Sequence, residues 1–524
     1  MSSTFHGLEM AKRALSAQQS AMYTTSHNIS NANTVGYTRQ RVNFEALSGI
    51  TSSREPGGLN DRVGGGVQAG SIERIREQFL DVQYRKENGK TMYYRQKAEA
   101  AKQMEAILNE PSEVGLSHIF DQFWNALQDL SVNPEDSGAR SVVAQRAEAL
   151  ADTFHYTSSS LESVREDLRN EMNVKQIEFN SLVDQINQLN RQIGEIEPHG
   201  HVANDLYDER DRLLDQLSSI ADIQVKYEKS SGMPSPIAMG KATVILRSGD
   251  ETVTLVDGNN YEVNHMYTEL NDNNNVKAFH FYNPTSITGD VTLAEVEANA
   301  SETINAGDFL STGQLKGLME MQGFETGAVD ADGNPVEKGV YIDMLADVDK
   351  LMIAFVEKFN ATHAEGFDID GNVGIEDFFV IDPDASRPSL GLSVNQQILN
   401  NKDLIAASSA ANASGDGLNA VKLAGSYTEH IASLGNKTSV KSYFEGMIGE
   451  LGVIAQEAYR MEANAGVLRQ QVSNNRDSVS AVSLDEEMTN LIKFQHAYNA
   501  AARTMTAVDE VLDRIINGMG LVGR

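Results

Sequence analysis

Two stretches of the chain carry oxygen ligands at the spacing of a calcium loop. Asp368-Ile369-Asp370-Gly371-Asn372 places them at the first, third and fifth positions, and Asp330-Ala331-Asp332-Gly333-Asn334 repeats the pattern. A calcium loop also needs glycine at its sixth position and a bidentate glutamate at its twelfth. The first stretch has Val373 and Phe379 there, and the second runs into Pro335. Both are therefore predicted to be Asx turns, in which the aspartate bonds its own backbone. His199-Gly200-His201, near Asp205 and Asp208, holds metal donors without an H-E-x-x-H or comparable pairing, and reads as a solvated turn between helices. Gly64-Gly65-Gly66-Val67-Gln68-Ala69-Gly70 has glycine enough for a phosphate loop, but not the G-x-G-x-x-G spacing or a preceding apolar strand. No motif nominates a nucleophile with its base or an acid–base pair. No catalytic residue, metal site or cofactor is expected, and an enzyme reading has no positive support.

The bulk numbers narrow the classes further. With 524 residues the chain is too long for one core. A formal charge of −31 repels phosphate backbones and anionic lipid, so no nucleic-acid or membrane partner is expected. The absence of cysteine removes disulfides, thiolate metal sites and cysteine nucleophiles together. The amino terminus lacks the basic-then-apolar order of a cleaved signal, and no apolar run is long enough to span a bilayer.

What remains to be positioned is contact surface, and Ser483 to Arg524 displays it most plainly. Leu484, Met488, Leu491, Gln495, Tyr498, Ala502, Met505, Asp509, Leu512 and Ile516 follow one another at spacings of four and three. That is a heptad seam, softened at Gln495 and Asp509 and widened on one side by Ile492, Ala501, Val508 and Ile515. Ser483 with Glu486 forms a capping-box signature, and Gly518 and Gly520 supply a stop. At the other end Leu8, Leu15, Met22 and Ile29 recur every seven residues, with Ala14 and Ala21 beside them and Ala11 and Ala17 keeping the profile thin. The periodicity favours pairing of these two helices over separate packing on a globular core. A seam this thin offers few large apolar side chains, so the pair is expected to be marginal alone and to order when neighbouring subunits surround it.

Between the ends the chain goes out through helices and returns through helices. Ser30 to Tyr37 is rich in residues that bond their own backbone or accept positive φ, and reads as a helix exit. Residues 48–70 read as a flexible or hairpin-like excursion. Ser71 to about Leu217 is helical, interrupted at Pro111 and Pro134, with a seam at Leu182, Ile186, Leu189, Ile193 and Ile196 that turns at Glu197-Pro198-His199-Gly200 into a second helix. Alternation at Ile223-Val225-Tyr227, Thr243–Leu246, Val253–Val256 and Lys277–Tyr282 predicts strands. Helical signal resumes at Gln314–Met321, Tyr341–His363 and Val440–Asn475, with a mixed segment near 364–435. The expected fold is mainly α with an inserted β domain. Residues 1–35 plus 480–524 form a terminal coiled coil, 36–221 plus 311–479 a long-helix bundle, and 222–310 an outward-facing β-rich domain.

The termini resemble a known group. His27-Asn28-Ile29-Ser30-Asn31-Ala32-Asn33-Thr34-Val35-Gly36-Tyr37 is similar to the signature of the flagellar rod, hook and hook-associated axial proteins, and Glu487 to Ala500 looks like their matching carboxy-terminal end. Gly36-Tyr37-Thr38-Arg39-Gln40, Arg74 to Asp81 and Asn204 to Leu214 are similar to segments of the hook-associated members. The likeness covers the first 220 residues and the last 90 or so; the β insertion matches in position alone. It implies a structural subunit in a homo-oligomeric ring at the hook–filament junction, outside the cell, exported by the flagellar type III route without a cleaved signal. It further implies three partners: the hook protein below, the next hook-associated protein above, and a cytoplasmic export chaperone on the carboxy-terminal helix. Leu8, Leu15, Met22 and Ile29 are then expected to pack on Met488, Leu491, Tyr498, Met505 and Leu512, while Asn28, Asn31, Asn33, Gly36 and Tyr37 set the helix exit and subunit contacts. The alternative from another class is a secreted adhesin or effector that binds through the β domain.

Overall fold

The computed structural model describes residues 4–47, 64–108, 115–287, 289–375, 377–435 and 437–518. Pro111, Gly520 and most of the 48–70 excursion lie outside them. The chain opens with α1 (Thr4–Ser30), a hairpin of β1 (Gln40–Ala46) and β2 (Val67–Arg74), then α2 (Gln78–Leu108), α3 (Leu116–Val132), the long α4 (Ser137–Ile196) and α5 (Asn204–Ile220). Two sheets follow. One orders β3 (Ile223–Glu228), β4 (Lys241–Ser248) and β5 (Glu251–Val256) as an antiparallel meander. The other has β7 (Val276–Tyr282) at its centre, with β6 (His265–Leu270) on one side and β8 (Ala300–Asn305) and β9 (Phe324–Val329) on the other. The strands thus run on past residue 310, and β10 (Pro335–Lys338) closes the edge beyond β9. The short α6 (Leu293–Asn299) and α7 (Gln314–Gln322) lie between strands. The return path is α8 (Val340–Ala364), a mixed segment holding β11 (Phe379–Ile381), β12 (Leu392–Val394), α9 (Gln396–Asn400) and α10 (Leu418–Gly425), then α11 (Val440–Ser480) and α12 (Leu484–Gly518).

A strand edge in an aqueous protein needs partners for its N–H and C=O groups, and α4 supplies them with side-chain amides. Asn180 accepts from the Met266 N–H at 2.7 Å and donates to its carbonyl at 2.9 Å, as a neighbouring strand would. Asn190 does the same to Ala242 of β4, at 2.9 and 2.7 Å. Gln176 accepts from Thr268 N–H, and Asn187 donates to Tyr261 C=O. These residues share one face of the helix, which fixes the register of both sheets on it. The inward residues of the strands, such as Val244, Leu246, Met266, Phe279 and Phe281, belong to the same apolar core as Phe154, Phe179 and Ile186 of α4. The β insertion therefore shares the helical core and has none of its own among the described residues.

At the other end of that core, Phe120, Phe123, Phe355, Phe359, Phe378 and Phe379 pack mostly edge-to-face, with ring centroids 5.0–6.3 Å apart. Two buried polar groups fold the mixed segment onto them. Arg140 donates to the carbonyls of Pro134 (2.8 Å), Ile405 (2.8 Å), Asp403 (3.2 Å) and Lys402 (3.3 Å). His363, wholly buried, lies 2.9 Å from Ile375 C=O through Nδ1 and accepts from Ala406 N–H at 3.0 Å through Nε2. Those contacts need a neutral ring, and burial lowers the His363 pKa to about 4.

The two terminal helices pack against each other and run antiparallel. A Cβ at Gly7 would stand 3.5 Å from Val508 Cγ2, and Asn28 bonds Glu487 at 3.0 Å, so equal lengths of helix separate the contacts. No helix among the described residues is long and apolar enough to cross a membrane.

Candidate functional site

The signature stretch at the end of α1 is a hydrogen-bonded junction centred on Asn28. Its amide oxygen accepts from the Tyr37 hydroxyl (2.8 Å) and the Gln40 N–H (3.0 Å); its nitrogen donates to Gln40 C=O (2.8 Å) and Glu487 Oε2 (3.0 Å). One side chain thus saturates all four of its bonding positions and ties the end of α1, the start of β1 and the start of α12. Tyr37 also lies 2.9 Å from His27 Nδ1, and burial beside Asp208, Asp205 and Glu487 pushes its hydroxyl pKa up. Asn31 donates to His27 C=O and accepts from Thr34 Oγ1, closing the helix exit. Gly36 takes φ +85°, a conformation that needs glycine here. Asn33 and Val35 are exposed on the same loop. Arg39 then bridges to α12, with Nε on Glu487 and Nη1 on Glu486, each at 2.8 Å. Glu486, expected to close a capping box with Ser483, makes this ion pair.

Behind the junction sits a buried charged cluster. Arg74 pairs with Asp208 (2.6 Å) and Asp211 (3.1 Å); Arg76 with Asp81 (2.7 Å) and Asp211 (3.5 Å); Arg85 with Asp211 (3.3 Å) and Asp215 (2.9 Å). Arg476, near the end of α11, reaches Asp215 at 2.6 Å and lies 3.9 Å over the Tyr84 ring. Asp208, Asp211 and Asp215 occupy one face of α5, so the hairpin, α2 and α11 all pivot on that helix. Burial raises the Asp211 carboxyl, but Arg76, Arg74 and Arg85 outweigh it and hold its pKa well below the ordinary value. At Asp208 burial wins over Arg74, and its pKa goes up. The number of guanidiniums in reach separates the two. Asp208 also accepts from Thr38 N–H at 3.0 Å, which joins this cluster to the helix exit. Buried Arg210 has the Tyr207 and Tyr227 rings 5.4 and 5.1 Å from its guanidinium.

The heptad residues of the terminal helices fall one row away from the seam the periodicity suggested. The face of α1 turned to α12 is Gly7, Ala11, Ala14, Gln18, Ala21, Thr25 and Asn28. Leu8, Leu15, Met22 and Ile29 flank it, half-buried. On α12 the covered row is Glu487, Leu491, Phe494, Tyr498, Ala501, Met505, Val508, Leu512 and Ile515. Leu491, Tyr498, Met505 and Leu512 thus lie in the seam, while Met488 is 51% and Ile516 70% exposed. Gln495 and Asp509, the polar interruptions, stand on the exposed side, where they cost nothing. Small residues let α1 approach closely, and the larger ones are displaced to the flanks. Leu484, Met488, Ile492, Val511 and Ile516 are left as apolar surface.

The chemistry-bearing stretches fold as turns. Asp368 Oδ1 accepts from Asn372 N–H at 2.8 Å, and Asp330 Oδ1 from the Asp332 and Asn334 N–H groups at 2.9 and 2.8 Å. His199 and His201 are exposed in the α4–α5 turn. The Asn28 junction is legible as a motif; the α5 charged face carries its own signal in the carboxylates Asp208, Asp211 and Asp215, spaced three and four apart on one helix.

Three family models match the chain: the flagellar hook-associated protein FlgK helical domain over residues 101–379, the flagella basal body rod protein over 8–38, and the flagellar basal body rod FlgEFG protein C-terminal over 474–518. The flagellar hook-associated protein 1 of Bacillus subtilis is 44% identical over 531 residues, covering 100% of both chains. That of Escherichia coli is 23% identical, covering 97% of this chain and 98% of its own. Among solved structures, the flagellar hook junction protein FlgK from Burkholderia pseudomallei covers 77% of this chain with a TM-score of 0.58 at 15% identity, a likeness of fold. With full-length identity to one relative and the helical-domain model spanning more than half of the chain, the protein belongs to the flagellar hook-associated protein 1 family, a family of structural flagellar components.

Proposed function

We propose that the chain is a ring-forming structural subunit that joins the hook to the filament through its terminal helices. The observation that carries this reading is the division of labour on α12. One face closes on α1, while beside it Leu484, Met488 and Ile492 form an exposed apolar stripe at intervals of four, and Val511 and Ile516 stay exposed on the two flanks further along. Like subunits, the hook protein below and the next hook-associated protein above are the proposed neighbours, and an export chaperone on α12 covers the same surface before assembly. The proposed domains are the terminal pair, the bundle that α5 anchors to it, and the β layer on α4. The Asn28 junction and the Arg–Asp cluster couple the first two, so that torque in the bundle reaches the terminal pair without slack.

A deletion strain tests the function directly. It should build hooks and shed flagellin into the medium, and the wild-type chain should restore filaments. Normal filaments with lost surface adhesion would instead support an adhesin.

A further inference from the structure

We propose that Glu269, His280 and Glu297 form a binding site for a divalent transition-metal cation, with zinc the best match, that pins α6 to the β6–β7–β8 face. The ligand atoms of the three side chains lie within 4.8 Å of one another. His280 Nε2 is 2.9 Å from Glu269 Oε2. Metal–ligand bonds of about 2 Å put adjacent ligand atoms roughly 3 Å apart, so the pair already has the separation of two coordinating groups. Both are more than nine-tenths buried, whereas Glu297 is exposed and leaves room for water to complete the shell. His280 Nδ1 stands 2.9 Å from Thr303 Oγ1 on the paired strand. As the contacts stand, Nε2–H donates to Glu269 Oε2 and Nδ1 accepts from Thr303; a metal would take the place of the Nε2 proton, and with the ring proton moved to Nδ1 and donated to Thr303 Oγ1 the ring stays oriented with Nε2 toward the ion. One imidazole and two carboxylates favour zinc or a neighbouring first-row metal over calcium or magnesium, which take oxygen alone.

A side-chain cation already sits beside these groups. Lys277 Nζ contacts Glu269 Oε1 at 2.7 Å, and its side chain is about half exposed. A metal would displace a flexible ammonium that can swing into water. The three ligands come from two strands and a short helix at irregular spacing, so no sequence motif announces them.

The test is calorimetric titration of the full-length, chelator-treated chain with zinc alone at neutral pH. The expected result is one equivalent bound more tightly than the background of surface carboxylates. E297Q should weaken that equivalent by at least the roughly 10–100-fold that loss of an outer-shell partner costs. H280Q should remove it, and K277A should tighten it by deleting the competing ammonium. Glu297 is exposed, so E297Q should fold normally, with an unchanged melting temperature in chelator; it decides the matter even if H280Q fails to fold. Indistinguishable titrations of wild type and E297Q, or no equivalent tighter than the background, would overturn the site.

Discussion

The bundle around α4 and α8 and the terminal pair of α1 and α12 solve the burial problem in opposite ways. The bundle closes on itself: Phe120, Phe154, Phe179, Phe355 and Phe359 are essentially inaccessible, and its buried polar members Arg140 and His363 are hydrogen-bonded inside. The terminal pair meets along alanines and leaves Leu484, Met488, Ile492, Val511 and Ile516 on the outside. One region is closed within the chain, and the other keeps apolar side chains on its surface. Between them lies the Asn28 junction with its Arg–Asp cluster, which spends buried charge on holding a defined geometry.

The comparison breaks most sharply at the boundary. Arg74→Ala leaves Asp208 and Asp211 short of a buried partner, and is expected to cost about 3–5 kcal/mol in urea unfolding. A cost near that of a surface pair would mean that the two regions are not coupled through α5. Within the bundle, His363 should make stability fall with acid. Its folded pKa of about 4 lies below the ordinary 6.5, so its contribution is complete above pH 6.5 and lost as the pH falls through 4, up to about 3 kcal/mol. His363→Gln should flatten that part of the pH profile. At the junction, Asn28→Ala should cost about 1–3 kcal/mol, read as faster exchange of amides in 24–40 and 484–490 with α8 unchanged. Smallest on the monomer is Ile492→Asp, which removes an exposed apolar side chain. Its effect on the unfolding midpoint should stay within about 0.5 kcal/mol, while the strain carrying it sheds flagellin as the deletion does.

Much of this contrast could be read from residue order, and its errors have physical causes. The terminal heptads announced pairing, but the eye follows leucine, and here the close approach is made by Gly7, Ala11, Ala14 and Ala21. The row that packs is the neighbour of the row that looks apolar, because backbones can approach only where side chains are small. The asparagine-rich exit was legible because Asn31, Thr34 and Gly36 act within a few positions of themselves, whereas the bond from Asn28 to Glu487 spans the chain and was not. The partners of Arg74, Arg85 and Arg476 were not, since their carboxylates are supplied across the fold by α5 and no periodicity encodes that distance. Strands β9 and β10 escaped for a similar reason: they are short and no residue of either is buried, so there is little alternation to detect.

The claim that the terminal pair is completed by its neighbours is tested most directly by hydrogen exchange on the dilute monomer, resolved by segment. The account predicts weak protection from Leu8 to Met22 and from Tyr498 to Ile516, stronger protection near Asn28 and Glu487, and the strongest in α4 and α8. Protection of the whole of both terminal helices equal to that of α8 would contradict it.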